Sequence, residues 1–84
     1  MFYVYVLQDD NSRLYKGMTN DLSRRLAEHL RGETKTTKNM RHPHIIYTQA
    51  FATFAEAREM ELYLKTATGR RFLKDKLRTH SSVG

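Results

Sequence analysis

The stretch from Tyr15 to His29, Y-K-G-M-T-N-D-L-S-R-R-L-A-E-H, constrains the fold more than any other part of the chain. It reads as a strand that ends in a glycine turn and runs directly into an amphipathic helix. Gly17 near the end of a strand predicts a bulge or a close backbone approach. Thr19 or Asn20 can cap the helix that follows. Leu22, Leu26 and Leu30 recur every four residues and predict its buried stripe. Arg31 followed by Gly32 predicts its stop.

The rest of the chain is arranged around that unit. Phe2 to Leu7 is rich in aromatic and β-branched residues and predicts a strand. Its side chains alternate, so Tyr3, Tyr5 and Leu7 share one face and Phe2, Val4 and Val6 the other. Both faces are apolar, which predicts a central strand covered on both sides. Asp9-Asp10-Asn11-Ser12 is a turn cluster, so Arg13 to Met18 returns as the second strand of a hairpin. Gly32 to His42 reads as a mobile basic loop carrying Lys35, Lys38 and Arg41. Pro43 opens a third strand over about 44–51. Thr53 with Glu56 three residues on is a capping-box pattern, which starts a helix over about 55–65. Thr68-Gly69 is expected to break that helix. A last one covers about 70–77 and carries Arg70, Arg71 and Lys74, with a frayed tail from His80. The fold class is α+β: a small three-stranded antiparallel sheet flanked by helices, in the order β-β-α-β-α-α.

At about 100° per residue, three side chains stand out. Relative to Leu22, Leu26 lies at about +40°, Leu30 at about +80°, His29 at about −20° and Arg25 at about −60°. Arg24 falls at about 200°, on the solvent side. The two neighbouring arginines are therefore expected to differ: Arg24 is a surface charge, while Arg25 leans toward the sheet. There its planar guanidinium could grip a phosphate, or its stem could simply cover the core edge. His29 is either a site residue or a satisfied histidine at the core edge. On the second helix Phe54, Ala57, Met60 and Leu64 define the apolar arc. Glu61 falls inside it, about −20° from Phe54, whereas Glu56 and Glu59 fall outside. A desolvated carboxylate needs a partner, either a protein cation such as Arg25 or a bound metal. Tyr5 and Tyr15 lie on adjacent strands and could share a face, as core or as part of a site.

Charge narrows the partner. Lysine and arginine number 15 against 9 acidic residues, a net charge of +6. That excess favours a polyanion, with nucleic acid first and a merely soluble basic surface as the alternative. There is no cysteine, which excludes disulfides, zinc–thiolate centres and thiol nucleophiles. The apolar start, Met1 to Leu7, is too short to span a bilayer and lacks the basic flank of a signal peptide. We expect a cytoplasmic protein with no membrane partner. With 84 residues it is expected to be one domain, 1–84. His42 and His44 could suggest a metal pair, but two histidines without a third ligand more often mark a polar strand start.

In order and spacing these residues resemble the GIY-YIG nuclease superfamily, most closely its short stand-alone members related to the N-terminal nuclease domain of the nucleotide-excision-repair excinuclease. Tyr3-Val4-Tyr5 stands where the family has G-I-Y, and Tyr15-Lys16-Gly17 where it has Y-I-G. Thr19 to His29 is similar to the helix that holds the family's arginine and histidine. Glu61 matches its metal-binding glutamate. Tyr3 replaces the first glycine, and Lys16 replaces an aliphatic residue, which implies a wetter strand face or a lysine that reaches for phosphate. The resemblance implies a metal-dependent endonuclease that cuts DNA, with DNA favoured over RNA and a place in DNA repair or recombination. It implies Tyr5, Tyr15, Arg25, His29 and Glu61 as catalytic residues. Glu61 would hold a divalent ion, magnesium first and manganese as the alternative. Lys16, Lys35, Lys38, Arg41, Arg70, Arg71 and Lys74 are candidates for backbone contact. The other reading is a basic nucleic-acid-binding module that keeps the fold without the chemistry.

Overall fold

The computed structural model describes residues 1–32 and 39–83 of the chain. Three strands and three helices follow in the expected order: β1 (Phe2–Gln8), β2 (Leu14–Thr19), α1 (Leu22–Leu30), β3 (His44–Phe51), α2 (Phe54–Leu64) and α3 (Ala67–Val83). The sheet is antiparallel in the order β2-β1-β3. β1 is the central strand, and Val4, Tyr5, Val6 and Leu7 are all buried, as its two apolar faces require. One face, through Val4 and Val6, packs on Ala57, Leu64 and Leu73 of α2 and α3. The other face carries Tyr5 and Leu7 and is covered in part by α1. β2 and β3 are the sheet's two edge strands.

A turn built on Asp9 closes the β1–β2 hairpin. Its Oδ1 accepts the backbone N–H groups of Asn11 and Arg13 at 3.0 and 2.8 Å. Its Oδ2 accepts the N–H of Arg41 at 3.2 Å, so one buried carboxylate ties the hairpin to the start of β3. Burial alone would push the Asp9 pKa up, but these backbone donors outweigh it and hold the carboxyl below its ordinary value. Ser12 takes the left-handed backbone (φ 64°) that the tight turn demands.

Four details depart from the sequence expectations. The cap of α1 is Asp21, whose carboxylate accepts the Arg24 N–H at 3.1 Å. Thr19 instead receives the Asp21 N–H on its hydroxyl. The predicted leucine stripe ends early. Leu30 is 68% exposed, because it occupies the last turn of a nine-residue helix and His29 takes the inward position. Gly69 does not end a helix. α2 stops at Leu64, Thr66 receives the Gly69 N–H at 3.1 Å, and α3 starts at Ala67. Gly69 lies inside α3, where it lets two helix backbones meet. Finally, α3 runs to Val83 rather than fraying from His80. The capping box at Thr53 is present as expected: its hydroxyl accepts the Glu56 N–H and donates to the Glu56 carboxylate at 2.9 Å. Lys35 and Lys38, in the predicted basic loop, lie outside the described residues.

Candidate active site

The strand register brings the two tyrosines together. Tyr5 stands opposite Gly17 and Leu7 opposite Tyr15, so Tyr5 and Tyr15 share a face of the sheet and their ring centroids are 6.1 Å apart. Gly17 has no side chain, and the Tyr5 ring fills that space. An ideal Cβ on Gly17 would stand 2.6 Å from the Tyr5 hydroxyl oxygen and 2.7 Å from Cζ. The close backbone approach expected at this glycine is the aromatic ring crossing it, and β1 and β2 stay in register without a bulge there. The sheet's register shift lies instead between β1 and β3, at Val6/Leu7.

α1 completes the cluster from above. His29 is buried, its Nε2 is 2.8 Å from the Tyr5 hydroxyl, and its ring packs against Tyr15 at 5.0 Å between centroids. The Nε–H of Arg25 donates to the Tyr5 oxygen at 3.4 Å, and an Nη donates to Glu28 at 3.0 Å. Arg24 is exposed. The helical spacing separates these two arginines for the same reason: Arg25 lies on the edge of the inward arc and Arg24 opposite it.

The Arg25–Tyr5 bond has a fixed sense. A guanidinium has only donors, so the Tyr5 oxygen accepts from Arg25, while the sense of the Tyr5–His29 bond follows the imidazole tautomer. Burial, followed by the positive charge of Arg25, holds His29 below the ordinary imidazole pKa. The neutral imidazole is therefore the favoured form at pH 7. Burial pushes the Tyr5 hydroxyl up to about 12, outweighing the opposing pull of Arg25. The hydrogen bonds to Tyr5 and Glu28 keep Arg25 firmly protonated. Tyr5 is thus a neutral phenol that links a fixed cation to a neutral imidazole. Of the two tyrosines, only Tyr15 is partly open to solvent.

Glu61 is buried as its place inside the apolar arc predicted, yet its partners are not Arg25. Arg58 donates to Oε1 at 2.6 Å, and the Lys65 ammonium lies 4.0 Å from Oε2. Both cations sit on or next to its own helix. α2 packs on the Val4/Val6 face of the sheet, so the expected five-residue convergence divides. Tyr5, Tyr15, Arg25 and His29 touch one another on one face, and Glu61 stands on the other. Tyr15 belongs to β2, one of the two edge strands of the sheet.

Of the expected nucleic-acid contacts, Lys16 is half-buried on β2, while Arg41, Arg70, Arg71 and Lys74 are exposed. The Arg41 backbone is pinned to Asp9 and Asp10. The sequence reading missed Asp9 as an organising residue. The signal was present, since an aspartate two residues before a turn N–H commonly accepts it. His42 and His44 form no metal pair: the His42 Nδ1 meets the Asp10 carboxylate at 2.8 Å, and His44 Nδ1 faces a backbone carbonyl.

A Tyr–His–Arg cluster on one face of the sheet and a buried glutamate on the other replace the single five-residue cluster expected from the motifs. The chain belongs to the GIY-YIG family: the GIY-YIG catalytic domain matches residues 1–76. That is an endonuclease domain, so a nuclease-like role comes with the family. The relatives are UPF0213 proteins, short stand-alone members. One from Bacillus pumilus is 42% identical over 67 residues, which is 79% of this chain and 68% of that protein. One from the Orgyia pseudotsugata multicapsid polyhedrosis virus is 38% identical over 71 residues, covering 82% and 68%. One from Staphylococcus aureus is 33% identical over 73 residues, covering 86% and 89%. The solution structure of a UPF0213 protein from Bacillus halodurans superposes with a TM-score of 0.56 at 29% identity, over 89% of this chain and 84% of the other. No helix among the described residues is long and apolar enough to cross a membrane.

Proposed function

We propose that this chain is a divalent-metal-dependent endonuclease that hydrolyses phosphodiester bonds in DNA. The observation that carries the reading is the hydrogen-bonded chain Arg25–Tyr5–His29 with the partly open Tyr15 against it. It combines a permanent cation for a phosphate with a neutral acceptor for a proton.

In this scheme a nucleic-acid backbone lies along the open edge of β2, where groups from both faces of the sheet can reach it. The exposed part of the Arg25 guanidinium neutralises charge on the scissile phosphate as it builds up. Tyr15 meets the attacking water and takes its proton as its own passes inward. Tyr5, which never ionises, relays that proton to His29 Nε2. This assigns the contact with water to Tyr15 and the relay to Tyr5, because Tyr5 is fully buried and its hydroxyl is held at about 12.

Glu61 would hold the metal. Among the described residues no three histidine, aspartate or glutamate side chains stand together as a ligand group. A single carboxylate suits a hard ion that keeps most of its water and takes the rest of its ligands from phosphate, and such an ion would share Glu61 with Arg58 at Oε1 and compete with Lys65 for Oε2. Magnesium fits that description and manganese is the alternative. When bound, the ion supplies Lewis-acid polarisation of the phosphate and stabilises the leaving oxygen. A role in DNA repair or recombination and a cytoplasmic location complete the reading.

The test is incubation of the protein with supercoiled plasmid and with labelled single-stranded and branched DNA, in magnesium, in manganese and in chelator. Cutting is expected with either metal and absent with chelator. Because His29 must be neutral to accept, and its pKa is held below about 6.5, the rate should fall only on the acid side of that value. Tight binding without cutting of any substrate would contradict the nuclease reading and favour the non-catalytic binding module.

A further inference from the structure

Glu28 is an acid in the place least suited to one. The chain carries 9 acidic residues against 15 lysines and arginines, yet one of the nine bonds the guanidinium that the scheme above turns toward a phosphate. A carboxylate there repels an incoming polyanion and lowers affinity for it. The pair does little for the fold either. Glu28 lies one helical turn beyond Arg25, an i,i+3 neighbour, and the two side chains are 34% (Arg25) and 29% (Glu28) exposed. Ion pairs this open to water contribute little to stability. What the contact does is set geometry. The Arg25 side chain is long, and its planar guanidinium needs two holds to keep one orientation. The first is the Tyr5 oxygen, which accepts from Nε at 3.4 Å, beyond the usual N–H···O range of about 2.7–3.2 Å. A weak hold at Nε alone lets the outer nitrogens swing about the Cδ–Nε bond. The second is the Glu28 carboxylate, which accepts from Nη1 at 3.0 Å, inside that range and charge-assisted. The shorter, charged contact therefore decides where the guanidinium plane stands, and with it the direction of the remaining N–H groups.

We propose that Glu28 is the positioning residue for Arg25. Its carboxylate holds the guanidinium in the orientation that meets the scissile phosphate, and it acts through Arg25 without touching the nucleic acid. The proposal rests on the nuclease reading above. Misplacing a group that stabilises the transition state slows the chemical step, whereas the repulsion between Glu28 and phosphate acts on binding. The two effects of this side chain thus have opposite signs and can be read apart.

The experiment compares the parent, Glu28→Ala and Glu28→Gln. It measures the single-turnover rate on the labelled DNA that the parent cuts, in magnesium and at saturating protein. Anisotropy of the same DNA in chelator gives the affinity, and thermal melts accompany both. Glu28→Ala loses acceptor and charge together. It is expected to cut about tenfold more slowly, to bind DNA at least as tightly as the parent, and to melt close to it. Glu28→Gln keeps an oxygen that can accept from Nη1 and loses only the charge. It should regain most of the rate that Glu28→Ala loses and bind as Glu28→Ala does. A merely structural pair would not slow the chemistry while leaving affinity undiminished. The parent rate in Glu28→Ala would overturn the proposal and leave the nuclease reading standing. A faster rate would overturn it too, by marking Glu28 as a competitor for Arg25. A Glu28→Gln protein as slow as Glu28→Ala would overturn the hold through the acceptor oxygen. A parent protein that cuts no DNA would overturn both readings.

Discussion

Replacing Gly17 by alanine is expected to dismantle the Tyr5–His29 pair and remove activity with it. The added Cβ would stand 2.6 Å from the Tyr5 hydroxyl oxygen, 2.7 Å from its Cζ and 3.0 Å from the Tyr15 ring. None of these can yield cheaply. Tyr5 is fully buried, its hydroxyl is bonded to His29 at 2.8 Å, and Arg25 donates to the same oxygen. Overpacking of this kind costs about 1–3 kcal/mol. If the ring swings away, the buried His29 Nε2 loses the Tyr5 hydroxyl, which costs about 1–3 kcal/mol more. The expected result is a protein with a lowered thermal midpoint and no measurable cutting. A Gly17→Ala protein that melts and cuts like the parent would show that the ring does not occupy this space. The third letter of the Y-x-G motif is thus explained by the first tyrosine motif: the glycine exists to let the other strand's aromatic ring cross it.

The second large effect concerns the fold and not the site. Gly69→Ala would place a Cβ 2.0 Å from the Tyr63 carbonyl oxygen and 2.6 Å from the Leu64 Cα. These are backbone atoms of the last turn of α2, so no side-chain rotation relieves the overlap. α2 and α3 would have to separate, opening the contact between Leu64 and Leu73, both fully buried in the core. The cost is expected at or beyond the top of the ~1–3 kcal/mol range for overpacking. For a chain of this length about 3 kcal/mol corresponds to a midpoint lowered by about 12 °C or more. A thermal melt decides it, and an unchanged midpoint would contradict the close helix approach.

Much of this was legible in the residues, for identifiable reasons. Two apolar faces on Phe2–Leu7 required a central strand, and the order β2-β1-β3 supplies one. The angular positions of Arg25 and Glu61 followed from helical geometry alone, and both side chains lean inward. What the sequence could not show depended on distant or competing contacts. Asp9 looks like an ordinary turn residue until Arg41, thirty-two residues on, donates to its second oxygen. Gly69 looks like a helix breaker, since propensity cannot tell a glycine that ends a helix from one that lets two helices touch. Leu30 fits the leucine period but lies at the end of a short helix, and the inward place belongs to His29. Glu61 was correctly marked as a carboxylate in need of a cation. Its partner proved to be Arg58, three residues back, and no one-dimensional pattern could rank that above Arg25. The division of the candidate site between two faces of the sheet was likewise out of reach. It depends on β2 being an edge strand with a helix packed on either side.

In this scheme the Arg25 cluster on one face and Glu61 on the other serve a single reaction across the β2 edge. The most direct test is the single-turnover rate of cutting by Arg25→Ala, by Glu61→Gln and by the protein carrying both. Removing one group that stabilises a transition-state charge typically costs about 10²–10³-fold. Groups that act as a unit lose little more when removed together. Each single substitution is expected to slow metal-dependent cutting by about 10²-fold or more, and the double substitution to be scarcely slower than the worse of the two. Cutting at the parent rate by either single variant would contradict the scheme.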